Sequence, residues 1–196
     1  MTEQNKRQQQ YNAAKQALLS AGLELFVHKG YAGTKIRDIT DAAKVSPGLL
    51  FHYFSSKEAI LAELMAEVDQ QFDKVAALLQ SGDAPEAIFA DVAFTILGAL
   101  SDKRSRYMFL LVSQILTLDA IPSTVKAASE RSRSVELSAP LIAAGQQAGV
   151  FRSGDPLALS VAFWGALQGI AEMLAWKPDA TVPGADAVMG MLLAAK

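Results

Sequence analysis

Between Leu18 and Leu61 the chain reads LLSAGLELFVHKGYAGTKIRDITDAAKVSPGLLFHYFSSKEAIL. Helix-stopping and helix-starting residues alternate along it so closely that only short helices fit. Leu18, Ala21, Gly22, Leu25 and Phe26 recur at helical spacing and form one apolar stripe. Gly30 and Gly33 end that helix and shape the turn after it. Thr34 is placed to cap a second helix, and Asp38 falls in its first turns, where the helix dipole favours an anion. Ile36, Ile39 and Ala43 form the buried face. After a tight break at Ala43-Lys44-Val45-Ser46, Ser46 is a natural N-cap and Pro47 suits the first helical position, which needs no amide donor. Val45 and Leu50 are spaced as a hydrophobic staple. With Leu50 and Phe54 inward, Pro47, Gly48, Leu49, Phe51 and His52 face outward or along the edge. Ser55 with Glu58 reads as a capping box that opens a fourth helix.

A third helix entered through such a break is the reading helix of a helix-turn-helix, an element that lies in the major groove of DNA. The segment resembles the N-terminal DNA-binding domain of the TetR family of bacterial transcriptional regulators. LELFVHKGY, the T-x-x-R-D-I run from Thr34 to Ile39, and VSPGLLFHYFSSKEAIL carry the likeness, over about residues 15 to 65. Beyond that the likeness is one of architecture. It implies an all-α fold of about nine helices. A three-helix helix-turn-helix domain would occupy residues 1–56, and a helical effector-binding and dimerisation domain residues 57–196.

Net charge is only −2, which by itself argues against a DNA binder, but the distribution of charge points the other way. Residues 1–57 hold eight basic and four acidic side chains, and the remainder ten basic and sixteen acidic. A basic head on an acidic body is the asymmetry of a protein that meets phosphate at one end. The absence of cysteine excludes disulfides, thiolate zinc sites and cysteine catalysis. The start MTEQNKRQQQ lacks the apolar segment of a signal peptide, so a cytoplasmic location is expected. Lys6, Arg7 and Lys15 suggest a mobile basic arm near the DNA.

Further along, Leu61, Leu64, Val68, Phe72, Val75 and Leu79 give the fourth helix a long apolar stripe from Lys57 to about Leu79. Ser81-Gly82-Asp83 breaks it, and Ala84-Pro85 begins a helix ending near Leu100. Others are expected at about Ser105–Leu118, ended by Ile121-Pro122, and at about Ser123–Ala148, with a kink or split at Pro140. The Gly149–Pro156 stretch is a turn. Helices follow at about Pro156–Trp176 and Ala185–Ala195, and no period-two strand pattern appears.

Leu157–Trp176 is apolar almost all round, with Glu172 its only charge. Gln168, Glu172 and the absence of flanking basic clusters disfavour a membrane span. Burial within one chain is possible. A helix that packs on its own core and on a second copy fits best, because Ala162, Gly165, Ala166 and Gly169 make a narrow face. The resemblance implies the same, a dimer interface built from the last two long helices.

For base reading the candidates are Pro47, Gly48, Leu49 and His52. His52 can donate to guanine or phosphate, and Pro47 and Leu49 offer only apolar contact, for instance to a thymine methyl. For phosphate positioning they are Thr34, Lys35, Arg37, Ser46, Tyr53 and Lys57. Pro47 and Leu49 stand where many TetR-like proteins carry Lys or Arg and Thr or Ser, and Phe51 stands for the usual Tyr. Lys44 replaces a turn glycine and calls for a left-handed backbone. Two such heads imply a near-palindromic operator with half-sites roughly 34–36 Å apart or somewhat more.

Met108, Phe109, Gln114, Thr117, Trp164, Gln168, Glu172 and Met173 lie on helices that line the effector cavity in TetR-like proteins. They suit a small apolar or amphipathic effector, or else plain core. The functional expectation is a ligand-responsive repressor that binds double-stranded DNA as a homodimer, the alternative being a helical adaptor. An enzyme is not expected. The only histidines are His28 and His52, and no nucleophile–base pair, metal set or phosphate loop is visible, so no cofactor is expected either.

Overall fold

The computed structural model describes residues 3–117 and 134–194. It contains α1 (Glu3–Lys29), α2 (Ile36–Ala43), α3 (Pro47–Tyr53), α4 (Lys57–Leu79), α5 (Pro85–Ala99), α6 (Lys103–Thr117), α7 (Ser134–Gln147), α8 (Pro156–Trp176) and α9 (Ala185–Met189). No strand longer than an isolated bridge occurs among the described residues. The expected stop at Ile121-Pro122 and the expected helix start at Ser123 lie outside them. Two compact units divide the chain inside α4, one reaching Val68 and taking in the end of α6 from Leu111, the other holding the rest.

In the first unit Leu18, Leu19, Leu23 and Phe26 of α1, Ile39 of α2, Leu50 of α3 and Ile60, Leu61 and Leu64 of α4 are buried, with Leu111 and Ile115 of α6. Each large apolar side chain so placed contributes about 1.5–3 kcal/mol. Gly22 permits the close passage of α1 and α4, since a Cβ there would lie 2.8 Å from Ile60 Cγ2. The first helix is longer than its apolar stripe, running back to Glu3 as a helix rather than a loose arm.

The turn between α1 and α2 is tied to the start of α4. Gly30 takes φ +74°, and Thr34 Oγ1 donates to Gly30 O at 2.8 Å and to Leu25 O at 3.2 Å. Lys57 Nζ donates to Tyr31 O and Thr34 O, both at 2.9 Å, and sits 4.3 Å from the Tyr31 ring centre. The Tyr31 hydroxyl donates to Glu58 Oε1 at 2.6 Å. That bond leads the causes that hold the Glu58 carboxyl below the usual glutamate range. Burial, reinforced by the same carboxylate, pushes the Tyr31 phenol up.

Two caps differ from the sequence reading. Thr34 does not cap α2, because its hydroxyl is turned inward and the residue is 1% exposed. The cap position belongs to Lys35, whose backbone N–H donates to Asp38 Oδ2 at 3.0 Å. At α4 the cap is Ser56, whose Oγ accepts from Ala59 N at 3.3 Å. Ser55 and Glu58 therefore form no box, since Glu58 is engaged by Tyr31.

The second unit is built on Val75 and Leu79 of α4, Ile88, Phe89, Val92, Ile96 and Leu97 of α5, Phe163, Leu167, Ala171 and Leu174 of α8, and Val188, Met189 and Leu192 near the end. Phe89 meets Phe163 edge-on at 5.0 Å and Phe151 at 5.5 Å, the geometry aromatic quadrupoles favour. A polar seam joins α7 to α8: Ser160 Oγ donates to Val135 O at 2.8 Å, and Trp164 Nε1 to Ser138 Oγ at 3.0 Å. The helix α7 runs through Pro140 without splitting. Pro140 is exposed, so water can serve the carbonyl that loses its partner. Asp155 caps α8 by accepting from Leu157 N and Ala158 N, with Pro156 in the first turn.

The last helix is shorter than the residue 185–195 span expected from its composition. After Met189 the chain turns and pairs with the α7–α8 loop. Arg152 N donates to Leu192 O at 2.8 Å and Ala194 N to Val150 O at 3.1 Å. Backbone groups committed to that bridge cannot also serve a helix.

Three stability outcomes follow from these contacts. Replacing Tyr31 with Phe removes a charge-assisted bond at a partly exposed carboxylate and should cost about 1 kcal/mol in urea unfolding at neutral pH. Because the folded Glu58 carboxyl is depressed, its contribution is complete above the ordinary glutamate value of about 4.3 and disappears as pH falls through the lower folded value. Glu58→Gln should flatten that acid limb. In the second unit, a Cβ on Gly145 would lie 2.6 Å from Phe151 Cε2, so Gly145→Ala should destabilise by about 1–3 kcal/mol. An unchanged urea midpoint for Gly145→Ala would contradict the packing described.

Candidate nucleic-acid interface

The helix α3 is short, and its ends are set by chemistry local to it. Lys44 takes the left-handed conformation at φ 57° and ψ 42°, and Val45 N closes onto Thr40 O at 3.0 Å. A side chain costs roughly 1 kcal/mol in that conformation, so the turn is held by the packing around it. Ser46 Oγ then accepts from Leu49 N at 3.2 Å, and Pro47 occupies the first turn. Leu50 is fully buried and Phe54 nearly so, which pins the inner side of α3.

The opposite side is open. Pro47, Gly48, Leu49, Phe51 and His52 are all exposed, Phe51 at 56% and Leu49 at 37%. Such a face offers apolar surface, one imidazole and close backbone approach at Gly48, where nothing lies within 4 Å of a built Cβ. Beside it, Lys35, Arg37 and Lys44 are all exposed cations on the surface. Arg37 stands 3.8 Å from Asp41, a loose pair on a solvated face, so its charge remains available. Lys29 is 3.4 Å from Asp38, whose carboxyl lies below its usual range through the Lys35 amide first and Lys29 second.

Two expected phosphate contacts are not presented as sequence spacing suggested. Lys57 directs its ammonium into the α1–α2 turn, where two carbonyls take it. Thr34 spends its hydroxyl on the same turn. Both instead line an open cleft of about 450 Å³ with Ala32, Lys35, Ile36, Phe51, Ser55, Ser56 and Glu58. The Glu58 carboxylate on its wall disfavours an anion there. Ser46 is exposed, its Oγ accepting the cap bond from Leu49 N and its hydroxyl proton left to donate, and Tyr53 is half-buried.

Sequence reasoning overlooked Tyr11. Its ring lies 4.6 Å from that of Tyr53 and 6.2 Å from that of His52. Four residues on, Lys15 pairs with Glu63 of α4, which raises its pKa and removes it from the supposed basic arm. The helical series Tyr11, Lys15, Leu18 and Gly22 was the available signal, hidden because its first two members are polar.

The residues grouped as an effector set are not gathered at one place. Gln114 Nε2 donates to Val27 O at 3.0 Å, a tie from α6 to α1 within the first unit. In the second unit Met108, Phe109 and Trp164 are half-buried, Phe109 and Trp164 against the core. Gln168 donates to Glu172 at 3.0 Å on the outside of α8, and Met173 is 53% exposed. Glu172 and Met173 therefore face outward in this chain, because Phe163, Leu167, Ala171 and Leu174 already occupy the inner side of α8. The Thr117 side chain lies outside the described residues. Ala162, Ala166 and Gly169 are half-buried and Gly165 is exposed.

Known proteins share both the local and the whole-chain pattern. Residues 18–64 match the sequence pattern described as bacterial regulatory proteins, tetR family. The transcriptional regulator RutR of Escherichia coli is 27% identical over 192 residues, 96% of this chain and 84% of RutR. Shorter matches, to regulators of Bacillus subtilis and Streptomyces glaucescens, span 25% and 42% of those relatives' lengths. Among solved structures, the MbdR regulator from Azoarcus sp. CIB superposes with a TM-score of 0.75 at 25% identity, covering 92% of this chain and 97% of that one. AibR in complex with isovaleryl coenzyme A and operator DNA does so at 0.65 and 18%, covering 90% and 94%, a likeness of fold. A capped reading helix in an all-helical chain, the matched N-terminal segment and the end-to-end likeness to RutR place this protein in the TetR family of bacterial transcriptional regulators.

Proposed function

We propose that the protein is a ligand-responsive repressor that binds a near-palindromic operator as a homodimer, in the cytoplasm, and is released by a small apolar or amphipathic effector. The observation that carries DNA binding is the outer face of α3, where Pro47, Gly48, Leu49, Phe51 and His52 all stand in solvent. The exposed apolar row on this seven-residue helix is open to a partner, and in a major groove it would meet thymine methyls and base edges. His52 is the polar reader. Lys35, Arg37 and Lys44 supply phosphate contacts, and Tyr53 supplies one through its hydroxyl. Residues 1–56 are then the DNA-binding domain and 57–196 the regulatory domain.

The homodimer rests on α8. Its inner side is buried, yet Leu157, Val161, Met173 and Trp176 are 50%, 54%, 53% and 80% exposed. Gly165 and Gly169 leave room for a neighbouring backbone, with nothing within 4 Å of a built Cβ. This helix is also long and apolar enough to cross a membrane by length and composition. Its inner side against the core and the Asp155 cap favour an interface between two copies over a span. That use of α8 also accounts for its apolar surface without the adaptor reading.

An effector is supported by the isovaleryl coenzyme A and operator DNA named for the similarly folded AibR. Effector binding would favour a conformation whose two reading helices no longer match the groove spacing.

The DNA reading is tested by selecting duplexes from a randomised library with the full chain and titrating salt. Affinity should fall linearly on a log–log salt scale, Lys35→Ala should lower that slope by about one, and His52→Ala should weaken the selected duplex by about tenfold. Indifference to every duplex at low salt would remove the proposal. For the dimer, Val161→Glu with Trp176→Glu should yield a folded monomer in sedimentation, with operator affinity reduced by about a hundredfold. A variant that stays dimeric would show that α8 is not the seam.

A further inference from the structure

The first turns of α1 have no core beneath them. Every residue from Asn5 to Ala13 is exposed, although the helix is continuous from Glu3. Isolated helical turns of that length are marginal in water, so something must hold them. Gln8 to Asn12, at 3.1 Å, is a bond internal to the segment and orders it only locally. The ring of Tyr11 reaches outward from it, 4.6 Å from Tyr53 at a tilt of 53° and 6.2 Å from His52 at 81°. His52 and Tyr53 are themselves edge-on at 5.4 Å. One turn later Lys15 is fixed by Glu63 and lies 5.8 Å from the Phe54 ring centre. Tyr11 and Lys15 thus grip the end of α3 and its following residue from one side.

His52 is exposed in the last turn of that short helix, and its only described ring neighbours are Tyr11 and Tyr53. An unsupported exposed imidazole samples several rotamers. Edge-to-face contact with two phenol rings restricts it, and a preorganised side chain loses less freedom on binding. We propose that Tyr11 is a positioning residue for operator recognition: it docks the N-terminal turns of α1 on the reading helix and holds His52 and Tyr53 in their binding orientation. The inference rests on the DNA-binding reading above. It makes the N-terminal helix part of the recognition unit, with Tyr11 acting through His52 and Tyr53.

The test measures affinity and base preference for Tyr11→Phe, Tyr11→Ala, His52→Ala and the Tyr11→Ala/His52→Ala pair, on duplexes selected by the full-length wild-type chain. Tyr11→Ala should weaken the selected duplex by about tenfold and broaden preference at the base pair where His52→Ala does the same. In the His52→Ala background it should no longer alter base preference and should add only the smaller, sequence-independent loss carried through Tyr53. Tyr11→Phe keeps the ring and should behave as wild type. The cooperative melting midpoint should be nearly unchanged for all four, since both positions are exposed, whereas the two chains carrying Tyr11→Ala should lose some helical signal from the undocked first turns of α1. Independent, multiplying losses from the two alanine variants would overturn the inference, as would an equal loss on all sequences with preference intact. A wild-type chain that selects no duplex is a different failure, of the functional reading itself, and is seen before any variant is made.

Discussion

The recognition head depends on one small set of bonds around Lys57. Its ammonium bridges Tyr31 O and Thr34 O, while the adjacent Glu58 takes the Tyr31 hydroxyl. Those four residues join the end of α1, the start of α2 and the first turn of α4. With the α1–α2 turn so fixed, α2 can present Ile39 to the core and hand the chain through Lys44 to the Ser46 cap. The direction of α3, and hence of its exposed face, is inherited from that junction. A lysine deployed this way gives up an outward phosphate contact in exchange for satisfying carbonyls at a bend where no helix can do so.

Two further constraints shape the regulatory half. Side chains on α8 have different tasks on its two sides: Phe163, Leu167 and Leu174 complete a core around Phe89, while Val161, Met173 and Trp176 stand outside it. Its junction with α7 is fixed by hydroxyl and indole bonds from Ser160, Ser138 and Trp164. Polar bonds of this kind add directional register to an otherwise apolar contact, which greasy packing alone leaves free to slide.

Legibility followed the range of the interactions involved. The Ser46-Pro47 start of α3, the Lys57–Leu79 span of α4 and the Pro156–Trp176 span of α8 were readable because caps, prolines and apolar periodicity act within a few residues. Failures occurred wherever a residue had a choice of partner. Thr34 has the chemistry of an N-cap, but a nearer pair of carbonyls took its hydroxyl. Glu58 was well spaced for Ser55 but was claimed by Tyr31, distant in sequence. The segment after Met189 has helical composition, yet the loop at Val150–Arg152 competes for its backbone.

From its residues alone the chain settles that it is helical, where its reading helix starts and which positions on that helix are apolar or basic, because turn geometry, capping and periodicity are local properties. Only the tertiary structure decides which polar groups remain for a partner. Lys57, Lys15, Thr34 and Gln114 are consumed internally, while His52 is left exposed with Tyr11 beside it. The physical reason is that a hydrogen-bonding group has few bonds to give, and folding brings competitors from distant sequence into reach before any ligand arrives.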